Sequence, residues 1–320
     1  MDLPTLAELE AASALIAPLV PPTPQYAWPL LARRAGCEVW VKHENHTPIG
    51  AFKVRGGLVY LDDLLRREPG CPGVIAATRG NHGQSVAFAA RRHGCRAIVV
   101  VPHGNGVEKN AAMQALGAEL IVHGHDFQAA LEHAGQRAAA EGLHMLPSFD
   151  RLPVQGVGTY ALELLRGARD LDAVYVPIGL GSGICGVIAA RNALNLRTKI
   201  VGVVSERAPC YALSFAEKRP VATPRADTFA DGMACRTPVA EAVQIINRWA
   251  ERVVTVSEEQ IAAAMRLYFS AAHQVAEGAG AAPLAALLAE PPSVRGRHVA
   301  LVLSGGNVDA EVYRRVLAGG

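Results

Sequence analysis

Four places in the sequence carry residues that could bind and activate a small molecule. Lys53 lies in the apolar segment "GAFKVRGG" (50–57), just before two glycines. The segments "TRGNHGQS" (78–85) and "PIGLGSGICG" (177–186) are rich in glycine, and "SGGN" (304–307) places Ser304 at the tip of a turn. Backbone amides of a glycine-rich turn that opens a helix bind anions such as phosphate. Taken singly, each feature also has an ordinary explanation, as a surface lysine or a simple turn.

The elements around these residues alternate between short β-rich segments and longer amphipathic ones. The predicted strands are 38–42, 73–78, 97–102, 119–124, 173–179, 199–204 and 299–305. The predicted helices include 82–94, 110–118, 159–168 and 257–275, the last starting at a Ser257–Gln260 capping box. Residues 206–237 contain several prolines and are predicted to be a long surface connection. This alternation predicts an α/β fold with parallel sheets.

In an open parallel sheet, the turns at the carboxyl ends of the strands meet at one crevice, where ligands bind. The four features would then share a pocket containing an amine, a phosphate cradle, a second anion-binding turn and a hydroxyl. Pyridoxal phosphate requires such a set, because its aldehyde bonds to a lysine and its phosphate and ring nitrogen need partners. The sequence therefore predicts pyridoxal phosphate as the cofactor.

At this level of detail the sequence resembles the fold-type II pyridoxal-phosphate enzymes, in the branch of serine/threonine dehydratases and serine racemases. The similarity runs in order through "VKHENHTPIGAFKVRGG" (41–57), "TRGNHGQS", "GVGTYALEL" (156–164), "VPIGLGSGICG" (176–186), "FADGMA" (229–234), "AEGAGAAPLAAL" (276–287) and "LSGGN" (303–307). It implies a tryptophan synthase β-like fold of two domains, each a largely parallel twisted sheet flanked by helices. Residues 1–71 and 146–320 would form the large domain and 72–145 a small mobile one, with no C-terminal regulatory domain. The resemblance also implies a homodimer.

The resemblance assigns roles to individual residues. Lys53 would hold the cofactor as a Schiff base and abstract the α-proton, with Phe52 beside the ring, Ser304 at the ring nitrogen and Glu277 at the pocket edge. The phosphate would be bound by Gly179, Leu180, Gly181, Ser182 and Gly183. Asn81 would contact the ring 3-hydroxyl, and Thr78, Arg79, Gly80, Asn81 and His82 would surround the substrate carboxylate. Arg55 could neutralise charge nearby or lie on the helix surface.

Three departures from the family pattern bear on the reaction. Arg79 occupies the position at which serine racemases carry an acid–base serine, and a guanidinium stays protonated, so racemisation is disfavoured. Leu180 and Ser182 interrupt a loop that is usually four glycines, although backbone amides still serve. Only Glu206 remains of the acids that hold a divalent cation in some members, so no metal site is predicted.

The predicted reaction is the elimination of water from a β-hydroxy amino acid, which gives a 2-oxo acid and ammonia. A serine hydroxyl does not force the ring nitrogen to be protonated, so expulsion of a β-leaving group is favoured over reprotonation. Threonine and serine are the substrates expected from the resemblance, and 3-phenylserine or 3-hydroxyaspartate are alternatives. Arg79 could bind a second acid of the substrate or point to solvent. A β-replacement synthase or a racemase of the same fold, or a non-enzymatic binding module, remain the rival functions.

Composition excludes other classes of protein. Lys and Arg number 31 against 29 Asp and Glu and are scattered, which argues against nucleic acid or membranes as partners. The six cysteines form no C-x-x-C pair, so neither a zinc site nor a disulfide framework is indicated. The N-terminal segment lacks the features of a secretory signal, and a cytoplasmic protein is expected. The first predicted strand is not followed by the G-x-G-x-x-G pattern of dinucleotide-binding folds.

Overall fold

The computed structural model describes residues 1–319, apart from the side chains of residues 294 and 295. In chain order the strands are β1 Gln25–Ala27, β2 Glu38–His43, β3 Val74–Ala77, β4 Ala97–Val101, β5 Glu119–Val122, β6 His144–Met145, β7 Ala173–Pro177, β8 Lys199–Ser205, β9 Arg252–Val256 and β10 His298–Leu303. The helices are α1 Leu6–Ile16, α2 Pro29–Ala35, α3 Lys53–Arg67, α4 Asn81–Arg92, α5 Val107–Ala115, α6 Phe127–Glu141, α7 Arg151–Gly167, α8 Ser182–Ala193, α9 Cys210–Glu217, α10 Ala240–Trp249, α11 Glu258–Ala272, α12 Gly278–Ala289, α13 Pro292–Arg295 and α14 Ala310–Leu317. Short 3₁₀ turns follow at Glu44–His46 and Asp231–Met233.

The strands form two sheets. A six-stranded sheet has the order β1-β2-β10-β7-β8-β9, and a four-stranded sheet has the order β5-β4-β3-β6. All the pairings are parallel except that of β1 with β2 at the edge of the larger sheet. The inner strands β4, β7 and β10 are almost wholly buried, because helices cover both faces of a parallel sheet. The predicted α/β class with parallel sheets is confirmed.

Two apolar layers sandwich the larger sheet. On one face pack residues of α1, α7, α8 and α10, and on the other face pack residues of α2, α11 and α12. Strands β3 to β6 all lie between residues 74 and 145. We propose that the two sheets are the cores of the predicted large and small domains; the domain boundaries and the mobility of the smaller one stay predictions.

The predicted elements differ from the observed ones mainly at their ends. Helix α7 begins at Arg151, capped by Asp150, whereas the prediction began it at residue 159, because Pro153, Gly156 and Gly158 masked its first turns. The capping box at Ser257 and Gln260 is present. The prediction that 206–237 has little regular structure is wrong in part, since α9 lies within it.

Candidate active site

Lys53 is the first residue of α3, at the end of the segment that follows β2. Its Nζ donates hydrogen bonds to the Ser182 hydroxyl at 2.9 Å and to the Ser148 carbonyl at 3.2 Å, and it meets no carboxylate among the described residues. Burial lowers the pKa of Lys53 to about 8, because removal from water penalises the charged form. The alternative that Lys53 is an ordinary surface lysine is therefore wrong. A larger fraction of its amine is neutral than in an exposed lysine.

The backbone brings Lys53 and Ser304 together although they are far apart in the sequence. The Phe52 amide donates to the Ser304 carbonyl at 3.0 Å, and Ala51 forms a β-bridge with Gly305. On the other side, the Ser85 hydroxyl of α4 donates to the Lys53 carbonyl at 2.6 Å. The first two contacts lie just beyond the carboxyl ends of β2 and β10, which pair in parallel and end side by side. The predicted convergence of the lysine and the "SGGN" turn is thus observed.

The loop of residues 179–183 joins β7 to the first turn of α8. Gly181 has φ +102°, a left-handed conformation that disfavours other residues, and precedes the helix as its N-cap. A Cβ at Gly179 would lie 2.2 Å from the Gly232 carbonyl oxygen, so the two backbones are in contact. The Tyr211 hydroxyl donates to the Leu180 carbonyl at 2.8 Å and fixes the loop from outside. With Lys53 beside Ser182, the loop presents helix N-terminal amides next to an amine.

A chain of amide and carboxyl groups lies behind the Ser304 turn. The Asn307 side chain donates to Asn81 Oδ1 at 2.7 Å, and Asn81 Nδ2 donates to Glu277 Oε1 at 2.8 Å. Burial raises the pKa of Glu277 to about 7 against the opposing effect of Lys109. Among the described residues, the Ser304 hydroxyl has no hydrogen-bond partner, although only 3% of the residue is exposed. Ser304 thus keeps an available polar group inside the site.

The second glycine-containing turn, residues 78–82, opens helix α4. The Thr78 hydroxyl accepts hydrogen bonds from the amides of Gly80 at 3.0 Å and Gly83 at 3.3 Å. His82 donates from its ring to the Leu146 carbonyl at 3.2 Å. Burial, and next the charge of Lys53, lower the pKa of His82 to about 3, so its ring is neutral at neutral pH. This helix start lies near Lys53, because His82 senses the Lys53 charge and Ser85 bonds the Lys53 carbonyl, and a helix N-terminus is a second place that suits an anion.

Arg79 lies at the rim of the site. Its side chain is 41% exposed and its guanidinium is 3.6 Å from Asp231, whose other oxygen accepts from Lys109 Nζ at 2.6 Å. Asp231 and Lys109 line a cavity of about 160 Å³ with Glu277 and Asn307. The two alternatives for Arg79 were contact with a substrate acid and orientation to solvent. In the structure its side chain is exposed and also paired with a carboxylate, so neither alternative describes it fully.

Several residues of the site were not assigned roles from the sequence. Asn307 stands in the quoted "SGGN" turn, and Asp231 in the quoted "FADGMA", so both had a signal in their motifs. Lys109 and Tyr211 had none, because their partners come from distant segments. Arg55 was expected to neutralise charge near the reaction or to lie on a helix surface; the surface alternative is wrong, because Arg55 is 1% exposed.

The residues fit pyridoxal phosphate by the chemistry of the donor set. An amine without a carboxylate partner suits covalent attachment, the 179–183 amides suit a phosphate, and the unpartnered Ser304 hydroxyl suits a ring nitrogen. Phe52 lies beside Lys53, with Nζ 5.3 Å from its ring centroid, and could flank an aromatic ring. Within residues 1–319, no group of three or more histidines, cysteines or acids could hold a metal ion. No helix in the same range is long and apolar enough to cross a membrane.

Comparisons with known proteins agree with this set. Residues 16–305 match the family model described as "Pyridoxal-phosphate dependent enzyme". The L-threonine ammonia-lyase of Thermotoga maritima is 34% identical over 294 residues, which cover 90% of this chain and 72% of that protein. The biosynthetic L-threonine dehydratase IlvA of Salmonella typhimurium is 33% identical over 92% of this chain but only 58% of its own length.

A solved structure gives a similar result for the fold. The crystal structure of a pyridoxal 5'-phosphate-dependent aspartate racemase superposes with a TM-score of 0.91 and 31% identity, over 97% of this chain and 98% of that one. The backbone that carries Lys53, the glycine loop and Ser304 is therefore shared with enzymes of more than one reaction.

Proposed function

The chain belongs to the pyridoxal-phosphate dependent enzyme family, and we propose that this lyase eliminates water from a β-hydroxy amino acid, with threonine as the leading substrate. Its cofactor is pyridoxal phosphate. The products would be a 2-oxo acid and ammonia, formed when the released enamine hydrolyses. The activity of the similar threonine ammonia-lyase and dehydratase supports this proposal.

One observation carries the proposal: a partly buried lysine amine with a depressed pKa lies beside a glycine loop at a helix N-terminus. A general base works best when its pKa is near the working pH, and burial brings the pKa of Lys53 to about 8. The Ser182 hydroxyl and the Ser148 carbonyl orient Nζ without neutralising its charge. Lys53 can therefore release a proton, take one from the α-carbon of a substrate and hold it on Nζ.

Bound pyridoxal phosphate supplies an aldehyde that bonds to amines and a conjugated ring that accepts the electron pair left at the α-carbon. Lys53 is the residue that would carry the aldehyde, and the amides of 179–183 would hold the phosphate against the start of α8. Ser304 would meet the ring nitrogen as a neutral partner. The role of each of these residues is part of the proposal.

The substrate carboxylate would bind at the start of α4. The Thr78 hydroxyl fixes the turn by accepting from the amides of Gly80 and Gly83, and the helix N-terminus attracts negative charge. His82 contributes no positive charge there, because its ring is neutral. The amides of Gly80 and Gly83 already donate to Thr78, so the other amides at this helix start would provide most of the recognition of the carboxylate.

Arg79 favours elimination over racemisation. A racemase needs an acid–base group on the face of the substrate opposite the lysine, and the guanidinium of Arg79 stays protonated and lies near Asp231. The similarity to an aspartate racemase extends to the fold, but this position does not offer a neutral base. We therefore place the reaction with the dehydratases.

We infer a homodimer in the cytoplasm, as the family resemblance implies. Tyr26, Leu30 and Phe269 are large apolar side chains that are 52%, 42% and 47% exposed, and helices α2 and α11, which carry the last two, are in contact. Light scattering of the purified protein tests the dimer, since a monomeric mass would contradict it.

A panel of β-hydroxy amino acids, assayed for 2-oxo acid and ammonia, tests the proposed reaction. Threonine, serine, 3-phenylserine and 3-hydroxyaspartate should be offered to the wild type and to the Arg79→Ala variant. Release of both products from threonine is the expected result. Inversion of configuration without ammonia would contradict the proposal, and a product that requires an added nucleophile would indicate β-replacement instead. If Arg79 contacts the substrate, the variant should lose 3-hydroxyaspartate selectively.

A further inference from the structure

We propose that Arg55 is a positioning residue for Lys53, acting through a buried ion cluster formed by Lys42, Glu44, Arg55 and Glu163. The inference rests on the proposed function, because it concerns how the lysine that carries the cofactor is held in place. It gives a role to a charged group that the proposed reaction does not itself use.

Arg55 uses all five of its N–H donors inside the protein. Nε and Nη2 donate to the two oxygens of Glu44 at 2.8 and 3.0 Å. Nη1 and Nη2 donate to the two oxygens of Glu163 at 2.7 and 3.1 Å, and Nη1 also donates to the Thr159 hydroxyl at 3.0 Å. A guanidinium presents its donors in a planar fork, so two carboxylates on either side fix its orientation as well as its position.

The cluster is electrically balanced and joins separate elements. Lys42 Nζ donates to Glu163 at 2.6 Å and to the Thr23 carbonyl at 2.8 Å, and the Thr23 hydroxyl donates to Glu44 at 2.6 Å. Two cations therefore face two carboxylates, and Glu163 is the most exposed of the four side chains at 19%. Lys42 belongs to β2, Glu44 to the turn after it, Arg55 to α3 and Glu163 to α7. The cluster ties the start of α3 to the sheet and to α7.

Helix α3 needs such support because its N-terminus is poorly stabilised by itself. Phe52 at the N-cap makes no side-chain capping bond, and the first turn contains no acid. It contains Lys53 and Arg55 instead, and cations at a helix N-terminus oppose the helix dipole. The carboxylates of Glu44 and Glu163 offset that cost from outside the helix.

Close packing transmits the position of Arg55 to Lys53. A Cβ at Gly156 would lie 2.3 Å from the Arg55 carbonyl oxygen, and one at Gly56 would lie 3.0 Å from the Pro153 carbonyl oxygen. Helices α3 and α7 thus touch through their backbones at Arg55 and at Gly56, the residue after it. A shift of Arg55 cannot be absorbed locally, so it would move the helix start, and Lys53 Nζ with it, away from Ser182.

The test compares Arg55→Met and Arg55→Lys with Arg252→Met in the full-length protein. Arg252, on strand β9, is the control: it donates to both oxygens of Glu290 at 2.6 Å and to the Tyr175 hydroxyl at 3.1 Å, and its side chain is 20% exposed against 1% for Arg55. Tyr175 packs in the apolar layer that covers the sheet face with α11 and α12, whereas Phe52, next to Lys53, packs against the other layer. Thermal unfolding shows how much stability each variant loses.

Two readouts report on Lys53 itself. The first is the rate at which the absorbance band of the Lys53–cofactor bond appears when pyridoxal phosphate is added to the apoprotein. The second is the separation of kcat from KM with threonine. A misplacement of a reacting group by about 1 Å can cost about a hundredfold in rate, so we expect Arg55→Met to lose that much in kcat and in the rate of band formation. KM should change far less, and Arg252→Met should stay within about twofold of the wild type, the scatter expected for sites that share no partners.

Arg55→Lys keeps the charge but has three donors instead of five and no planar fork, so both readouts should fall between those of the wild type and Arg55→Met. If Arg55→Met does not fold, the comparison of Arg55→Lys with Arg252→Met tests the inference. Equal values for the Arg55 and Arg252 variants at equal loss of stability would overturn the inference. A wild type that forms no band would instead refute the proposed function, so the two failures are distinguishable.

Discussion

The glycine loop offers a test in which one methyl group is added at two places with different surroundings. A Cβ at Gly179 would lie 2.2 Å from the backbone oxygen of Gly232, whereas the nearest neighbours of a Cβ at Gly183, the Phe52 ring and the Pro177 oxygen, would lie at 3.7 Å. Both Gly179→Ala and Gly183→Ala keep every backbone amide. They therefore separate the shape of the cradle from its hydrogen-bonding capacity.

The expected magnitudes follow from these distances. At 2.2 Å the contact is with main chain, so either the loop or the 231–233 turn must move, and overpacking of this kind costs about 1–3 kcal/mol. If that strain falls on the cofactor-binding geometry, affinity for pyridoxal phosphate drops by about 5- to 150-fold. At Gly183 the methyl group has ordinary contacts inside α8, where alanine is favoured over glycine by about 1 kcal/mol. Affinity there should stay close to that of the wild type.

The assay is a titration of each apoprotein with pyridoxal phosphate, followed by absorbance, with thermal unfolding recorded in parallel. Gly179→Ala should bind more weakly and Gly183→Ala should not. Equal affinities for the two variants would refute the assignment of this loop to the phosphate. A selective loss in Gly183→Ala would show that the cofactor occupies the space beside Phe52 differently from the proposal.

Three further predictions concern single groups of the site. Because the pKa of Lys53 is about 8, roughly one amine in ten is neutral at pH 7, against about one in three thousand for an ordinary lysine. The rate of bond formation with pyridoxal phosphate should therefore level off just above pH 8. A rate that keeps rising towards pH 10.5 would contradict the depressed pKa. Burial raises the pKa of Glu277 from 4.5 to about 7, so the folded protein binds more protons than the unfolded chain between these values and loses up to about 3 kcal/mol of stability as pH rises through them. Glu277→Gln should lack this loss. If the free energies of unfolding of the wild type and Glu277→Gln, measured with urea, changed in parallel from pH 5 to 8, Glu277 would not be its source. Ser304→Ala removes one hydrogen bond to the ring and should weaken cofactor binding by about 2- to 10-fold in the same titration, whereas unchanged affinity would remove the ring contact from the proposal.

The fold and the centre of the site could be predicted because their signals are local. Buried parallel strands are continuous apolar runs such as residues 299–303, and each functional turn follows one of them. The meeting of Lys53 with the Ser304 turn then needed only the rule that carboxyl ends of parallel strands converge. Short or edge strands such as β1 and β6 carry too few residues to show a pattern, and α9 was hidden by the prolines around it.

Long-range electrostatic pairings could not be predicted. The surroundings of Arg55 depend on Glu163, more than 100 residues later, and a lone arginine after an apolar segment is equally compatible with a surface position. Asp231, between β8 and β9 of the larger sheet, likewise pairs with Arg79 and Lys109, which follow strands of the smaller sheet. The sequence around each residue gives no sign of its partner. Because charged residues are usually exposed, a buried ion cluster can be recognised only once the positions of all its residues in the fold are known.

The central claim is a covalent bond between the ε-nitrogen of Lys53 and the aldehyde of pyridoxal phosphate. Reduction of the purified protein with borohydride, followed by digestion and mass mapping, locates that bond directly. We expect a pyridoxyl group on the peptide that contains Lys53 and none in Lys53→Ala. A label on another lysine, or full labelling and activity in Lys53→Ala, would contradict it.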